Sequence, residues 1–492
     1  MASEMVPLAL SPSTIVIREH PKSIRVGKRT GSLLFKAKAF GPNSTVVAPN
    51  GSRFEGVTSG PPDPYYELLE AFEADTSDTK VNLWVRAYRV ELQPFVLNVV
   101  KKAEKLMLEK GEDKEYLPMD GLAEFNKVTA ELLFGANNPV IQEGRVATVQ
   151  ALSGTGALHL AAAFIHGNFP NAKALISSPT WSNHKTIFDD AKVPYSEYRH
   201  YDPISKQLDF DGMIADIKAA PHGSFVLLHG CAHNPTGMDP TPDQWGKIAD
   251  IIQEKNHIPF FDVAYQGFAS GNLDADAYAV RLFVERGLEL LVAQSYGKNL
   301  GLYGERIGAI NIVCSSSETA VRVKSQLKWL IRPEYSNPPL HGARIVANVV
   351  GDPALFNEWK QEVELISRRL KSLRQRLFES LSCKDRSGRD WSFIVKENGI
   401  FSLIGLNKAQ ISNPHGSAYQ IAHALAVSVF LILHAFWYVL HCVFVRLSQI
   451  DNMRNKWHVY MIKDGRMSLG GLSLSQCEYL ADAIRDSFHN VS

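Results

Sequence analysis

From about residue 95 onward, short uninterrupted apolar runs alternate with amphipathic stretches. RVATVQAL is followed by GALHLAAAFIH, AKALISS by NHKTIFDDA, SFVLLHG by PDQWGKIADIIQEK, and IPFFDVAY by a loop and AVRLFVERG. A strand exposed on one face would alternate polar and apolar residues, so runs that are apolar throughout predict strands covered on both faces, with the amphipathic stretches as the covering helices. The chain is therefore expected to be an α/β protein built on a mostly parallel sheet flanked by helices, with a second, smaller α/β domain. The stretch PALFNEWKQEVELISRRLKSLRQRLFESLS, 353–382, reads as one long charged helix leading from the larger domain to the smaller. On this reading 95–365 form the large domain and 366–492 the small one. Residues 56–94 supply an N-terminal arm and a further part of the small domain.

Composition narrows the function. Lysine and arginine (52) nearly balance aspartate and glutamate (51), which argues against a chain whose affinity comes from neutralising nucleic-acid phosphates. Cys231, Cys314, Cys383, Cys442 and Cys477 are odd in number and dispersed without a CxxC pair, so neither a disulfide framework nor a structural metal site is expected. The first residues differ from the rest. Over the first fifty, Arg18, Lys22, Arg25, Lys28, Arg29, Lys36 and Lys38 face only Glu4 and Glu19 among many Ser and Thr, which is organelle transit-peptide composition, and 1–55 are read as that segment.

In a parallel sheet, ligands bind beyond the carboxyl ends of the strands, so the residues just after each apolar run carry the information. Ser153-Gly154-Thr155-Gly156 offers backbone N–H groups and a helix N-terminus to a phosphate, although small polar residues are also ordinary helix caps. His233-Asn234-Pro235-Thr236-Gly237 is a turn in its own right. Asp262 closes the run IPFFD, where a carboxylate needs a cationic partner, and Tyr265 follows three positions on. Lys298 in VAQSYGKNLGLYGERIG lies among Gly297, Gly301 and Gly304, eight residues before Arg306. Each loop alone has a bland reading. Together they provide a phosphate cradle, an acid for a ring nitrogen, a tyrosine and an asparagine for a phenolic oxygen, and a lysine for an aldehyde. Those are the needs of pyridoxal 5'-phosphate.

At these residues the chain resembles the class I aspartate aminotransferases, in particular their plant organellar members, from SRFEGVTSGPPDP (52–64) to the C-terminal HNVS. The resemblance implies a fold type I pyridoxal-phosphate transferase and a homodimer acting on small dicarboxylic amino and keto acids. It implies that Lys298 forms a Schiff base with the cofactor and then shuttles the proton. Asp262, backed by His184, holds the pyridinium proton, while Tyr265 and Asn234 bind the phenolic oxygen. Trp181 stacks on the ring, and Ser153, Gly154, Thr155 and Arg306 hold the phosphate with Tyr116 of the partner subunit. Arg466 in KDGRMSLGGL clamps the α-carboxylate and Arg332 in IRPEYSNPP reaches across the dimer to the distal one, a pair of planar forks suited to a dicarboxylate. The reaction implied is ping-pong transfer of the amino group from L-aspartate to 2-oxoglutarate, giving oxaloacetate and L-glutamate. The location implied is the chloroplast, with the mitochondrion as the alternative. The competing readings are an aromatic or broad-specificity aminotransferase and an impaired, membrane-associated relative.

Three departures from the family motivate the last of these. VNLWVRAYRVELQP carries Trp84 and Arg86 in place of two glycines of the family's LNLGVGAYRTEELQP, so the substrate side is expected to be narrowed. Gly297 replaces a serine expected at the phosphate. Between GLNKAQ and DNMRNKWHVY lies an insertion, 411–450, that contains the uncharged run VSVFLILHAFWYVLHCVFV (427–445). Its length suits a membrane span. A single crossing, however, would separate Lys298 from Arg466, so the insertion is read instead as translated non-coding sequence.

Overall fold

The computed structural model describes residues 52–60, 64–84, 87–90, 93–405, 449–462 and 464–489. Residues 1–51 of the transit segment, Arg86 and the apolar run 427–445 lie outside these. The chain divides between residues 61 and 62. In the first unit the described residues form a turn, with the Glu55 and Val57 N–H groups donating to the Ser52 and Phe54 carbonyls.

In the second unit the buried apolar runs are strands. They are β1 (Val146–Leu152), β2 (Ala174–Ser178), β3 (Tyr195–Arg199), β4 (Phe225–His229), β5 (Ile258–Val263), β6 (Leu290–Ser295) and β7 (Ile307–Val313). They form one sheet in the order β1-β7-β6-β5-β4-β2-β3. Pairing is parallel except where β7 lies antiparallel between β6 and β1. The sequence reading left β7 unassigned. It follows β6 through a loop without an intervening helix, and a strand joined in that way returns antiparallel.

The amphipathic stretches are the expected helices, here α1 (Ser153–Asn168), α2 (Asn183–Asp190), α3 (Pro242–Glu254), α4 (Tyr278–Glu285) and α6 (Pro353–Lys384), and α5 (Ser317–Glu334), which the sequence reading left unassigned, lies between the last two. They cover both faces of the sheet. Leu158, Ala161 and Ile165 of α1 pack with Leu227, Phe260 and Ile310 on one face. Trp245, Ile248 and Ile252 of α3 pack with Val226, Phe261 and Val292 on the other. A further core joins Val81 and Leu83 near the start of the unit to Leu370, Leu373 and Leu377 of α6 and to Met467, Leu480 and Ile484 near its end. There β8 (Phe401–Leu403) pairs antiparallel with β9 (Arg466–Ser468), and Val81–Asn82 pairs parallel with Val459–Tyr460. Arg374 of α6 and Glu397 form a buried ion pair at 2.7 Å, and the Arg374 guanidinium also donates to the Gly399 and Phe401 carbonyls.

Among the described residues no helix is long and apolar enough to cross a membrane. The chain leaves the described fold after Gly405 and re-enters at Gln449. Ile450 is already buried, and Asn452 donates to Asp486 at 2.8 Å. The packed fold therefore resumes within the last two residues assigned to the insertion.

One ion cluster ties three helices on the outer layer. His159 of α1 sits 3.0 Å from Asp190 of α2 and 2.9 Å from Glu334 of α5. The Glu334 contact chiefly, then Asp190, raises the imidazole from its ordinary value to about 9 against the opposing cost of burial. A folded-state value above the unfolded one means that the stabilisation is complete below about pH 6.5 and is lost as pH rises through about 9. Between those limits the melting temperature of the native chain should fall by about 2 °C more than that of His159→Gln, as read by thermal denaturation across the pH range.

Candidate active site

All strands of the sheet but β7 end at one edge, and the antiparallel β7 begins there. Ser153 follows β1, Trp181 follows β2, Asn234 follows β4, Asp262 is the penultimate residue of β5, Lys298 follows β6 and Arg306 precedes β7. One cavity of about 240 Å³ is lined by all six, together with Gly154, Thr155, Tyr265, Phe401 and Arg466. A larger groove, about 540 Å³, opens between Leu117 and Lys324 but contains none of these groups. The chemistry lies in the smaller one.

The phosphate side of the cavity is built from strained backbone. Ser153 opens α1 with φ +62 and Arg306 enters β7 with φ +51, conformations that cost a non-glycine residue about 1–2 kcal/mol and persist where the surroundings impose them. Gly308 makes the first possible, because a Cβ there would lie 2.8 Å from the Ser153 carbonyl carbon. The first turn of α1 has no side-chain cap, so its N–H groups remain available to an anion. Ser295, which the sequence reading missed, lies in this wall. Its Oγ is 2.9 Å from Ser153 Oγ and accepts the Gly297 N–H at 3.1 Å. A Cβ at Gly297 would come within 3.3 Å of both hydroxyls, and one at Gly154 within 3.3 Å of Ser295 Cβ. The glycine at 297 therefore leaves room for a hydroxyl supplied two residues earlier.

Asp262 is buried, and its Oδ2 lies 3.1 Å from His184 Nε2. The proton position on His184 follows from groups further back. His229 Nδ1 accepts the Asn234 backbone N–H at 3.2 Å, so the His229 proton is on Nε2, where it meets Thr180 Oγ1 at 3.2 Å. The Thr180 hydroxyl then donates to His184 Nδ1 at 2.8 Å, which leaves the His184 proton on Nε2, facing the carboxylate. Burial, and then the neighbouring imidazoles, hold His229 and His233 well below the usual histidine range, and burial lowers His200 to about 4. These three are neutral, as fixed tautomers require. Trp181 meets His184 edge to face, with ring centroids 5.3 Å apart.

The loop bearing Asn234 is held by Asp239, a buried carboxylate that accepts the Ala232 and His233 N–H groups and the Asn398 side-chain amide at 2.8–3.0 Å. Asn234 Oδ1 in turn accepts Arg466 Nη1 at 2.9 Å, and the Arg466 guanidinium lies 4.7 Å from the Phe401 ring centroid. Tyr265 meets the same ring edge to face. Lys298 Nζ lies 5.1 Å from the Tyr303 ring centroid. Two sequence candidates lie outside the cavity of their own chain. Tyr116 is 83% exposed, and Arg332, near the end of α5, is exposed and bonded to Ser336 Oγ at 2.9 Å. Of the bulky replacements, Trp84 is half-buried, and Arg86 is not among the described residues.

A lysine, a buried acid with a fixed imidazole behind it, an anion cradle and a carboxylate-binding arginine within one cavity can hold a phosphorylated aromatic aldehyde and move a proton beside it. The chain matches the family model Aminotransferase class I and II over residues 78–484. It is 62% identical to the chloroplastic aspartate aminotransferase of Arabidopsis thaliana over 494 residues, covering all of both chains. It is also 62% identical to the mitochondrial aspartate aminotransferase P2 of Lupinus angustifolius, over 96% of this chain and 95% of the relative. Among solved structures it superposes on the aromatic-amino-acid aminotransferase of Burkholderia pseudomallei covalently bound to pyridoxal phosphate. That match has a TM-score of 0.78 at 38% identity and covers 89% of this chain and 100% of the other. The cytoplasmic aspartate aminotransferase of Saccharomyces cerevisiae gives the same TM-score at 36% identity, covering 89% and 99%.

Replacing Thr180 by valine would strand the His184 and His229 ring nitrogens in a buried place. Chemical denaturation should register a loss of about 1–3 kcal/mol, whereas Thr180→Ser, which keeps the hydroxyl, should stay within about 0.5 kcal/mol of the native chain.

Proposed function

The chain belongs to the class I and II aminotransferases, and from that premise we propose that it is an aspartate aminotransferase of the chloroplast in which Lys298, Asp262 and Arg466 do the central work. The observation that carries this reading is the meeting of those three groups in one cavity, the acid at the end of β5, the lysine after β6 and the arginine on β9. The residues fit the family's cofactor, pyridoxal 5'-phosphate. Gly154 and Gly297 leave space that a Cβ would fill, and a buried carboxylate with a fixed imidazole behind it stands opposite an uncapped helix N-terminus.

When bound, that cofactor supplies an aldehyde for the amino group and an electron-accepting ring. The protein supplies the rest. Asp262 would face the ring nitrogen, and the Asn234–His229–Thr180–His184 chain keeps a hydrogen bond aimed at its carboxylate. Ser153, Gly154, Thr155, Ser295 and Arg306 would hold the phosphate, Tyr265 and Asn234 would take the phenolic oxygen, and Trp181 would cover one face of the ring. Lys298 Nζ removes the α-proton of L-aspartate and returns it, a base whose stroke is short because the carboxylate clamp fixes the substrate. Arg466, already oriented by Asn234 and Phe401, grips the α-carboxylate with two parallel N–H groups.

The second carboxylate needs a second fork. In this reading Arg332 supplies it from a partner subunit, together with Tyr116 for the phosphate, and the enzyme is a homodimer. The exposure of both residues, and of Trp329 on the same helix as Arg332, supports that arrangement. Residues 95–365 are the cofactor-binding domain in this reading, with 56–94 and 366–492 as the smaller domain. The basic Ser/Thr-rich leader and the full-length match to a chloroplastic relative support the location.

Purified chain should show a visible cofactor band that shifts when L-aspartate is added and is absent in Lys298→Ala, with turnover lowered at least about 10³-fold in that variant. Arg466→Met should keep the band and lose about 10²-fold or more in kcat/KM for L-aspartate. Faster turnover of L-phenylalanine than of L-aspartate would overturn the substrate assignment. The insertion gives a separate test. A chain in which Gln410 is joined directly to Ile450, keeping that buried residue, should fold, show the same band and turn over at least as fast as the full chain. Loss of the cofactor band on joining would mean that the segment belongs to the working enzyme.

A further inference from the structure

We propose that Tyr303 is a positioning residue that ties the Arg466 side of the cavity to the Lys298 side and so sets the spacing between the two groups. Its effect on turnover rests on the aminotransferase reading above; the tie itself rests on geometry.

Tyr303 stands in the glycine-flanked loop between Lys298 and Arg306, and three parts of it are engaged at once. The ring lies under the Lys298 ammonium, 5.1 Å from Nζ to centroid, within the range where a cation is attracted to an aromatic face. The carbonyl accepts Arg306 Nη1 at 3.0 Å. The hydroxyl accepts the backbone N–H of Tyr88 at 2.8 Å. Burial pushes the phenol up to about 12, so at working pH the oxygen is a neutral hydroxyl that accepts from Tyr88 and keeps its proton.

Tyr88 belongs to the other wall. The segment before it is bonded to β9 and its neighbours, since the Leu83 N–H donates to the Tyr460 carbonyl at 2.8 Å and the Ser468 N–H to the Leu83 carbonyl at 2.7 Å. After it, the Arg89 N–H donates to the Gly470 carbonyl at 2.9 Å, and Arg369 of α6 donates to the Arg89 carbonyl at 3.0 Å. Leu83 and Arg89 thus bind the chain on both sides of Arg466, and the Tyr88 N–H carries that unit across to the loop of Lys298. A phenylalanine at 303 would keep the ring beneath Lys298 and leave the Tyr88 N–H without its acceptor. The two walls would then be free to drift. A drift of about 1 Å between base and substrate is enough to slow proton transfer about 10²-fold.

The test compares the full chain with Tyr303→Phe. Amide hydrogen exchange over 87–90, measured without cofactor, should accelerate about tenfold in the variant. In the loaded enzyme the cofactor band should be unchanged, KM for L-aspartate should stay within about threefold and kcat should fall about tenfold. The isotope effect with 2-deutero-L-aspartate should rise above that of the native chain, a change that a smaller active fraction does not produce. Fast exchange at Tyr88 in the native chain, or equal exchange in the two chains, overturns the tie even if the variant folds poorly. Faster exchange with an unchanged isotope effect overturns the link to Lys298. Absence of aspartate turnover in the native chain would count against the aminotransferase reading, while the exchange measurement still decides the tie.

Discussion

A carboxylate at the end of a central strand is the constraint around which this structure is arranged. Asp262 lies in β5, between β4 and β6, where water is scarce and a buried carboxylate needs hydrogen-bonding partners. His184 meets that requirement, and it does so in one tautomer because a backbone N–H at Asn234 fixes His229, which fixes Thr180, which fixes His184. Asn234 is also the residue that orients Arg466. Asp262, through His184, and Arg466 are therefore both oriented from one turn. That turn is held by Asp239, whose carboxyl is itself pushed up to about 6, chiefly by burial, against three hydrogen bonds that favour its ionised form.

The same economy governs the phosphate side. Ser153 and Arg306, both with positive φ, line the cavity together. β7 passes so close to Ser153 that only glycine fits at 308. Such conformations at a binding wall are ones that a bound ligand can offset. The antiparallel course of β7 is what brings Arg306 to this edge, since a parallel strand would have placed its N-terminal neighbour at the opposite end of the sheet.

Much of this was legible in the sequence because burial on both faces leaves a plain signature. The four apolar runs read as strands are strands, and the helix read at 353–382 spans Pro353–Lys384. What escaped shares a physical reason. Ser295 ends an apolar strand, and nothing local distinguishes a hydroxyl that faces a cavity from one that caps a ladder. Thr180, His229 and Tyr303 act through hydrogen bonds to residues 4 to 215 positions away in sequence, and composition or periodicity carries no trace of such pairings. Gly297 read as the loss of a hydroxyl, and the pairing of its N–H with Ser295 Oγ was equally outside the reach of the sequence. For Arg332 and Tyr116, position within one chain explains nothing; their roles were readable only through resemblance.

The topology around the insertion makes its own argument. β8 and β9 are adjacent strands, with Leu403 paired to Arg466, although sixty-odd residues separate them in sequence. The chain on the far side re-enters a fully specified environment at once. Ile450 and Met453 are buried, Asp486 receives Asn452, Lys456 and Trp457, and Tyr460 reaches Asp75. A segment that had become part of the fold would be expected to reshape the elements it joins, through new packing or displaced hydrogen bonds. Among the described residues the β8–β9 pairing is complete, with Phe401 opposite Ser468 and Leu403 opposite Arg466, and Arg466 also donates to Asn234 Oδ1. Cooperativity in this region therefore resides in the β8–β9 ladder, α6 and the C-terminal helix. The stability of the cavity depends on those elements meeting, whatever length of chain connects them.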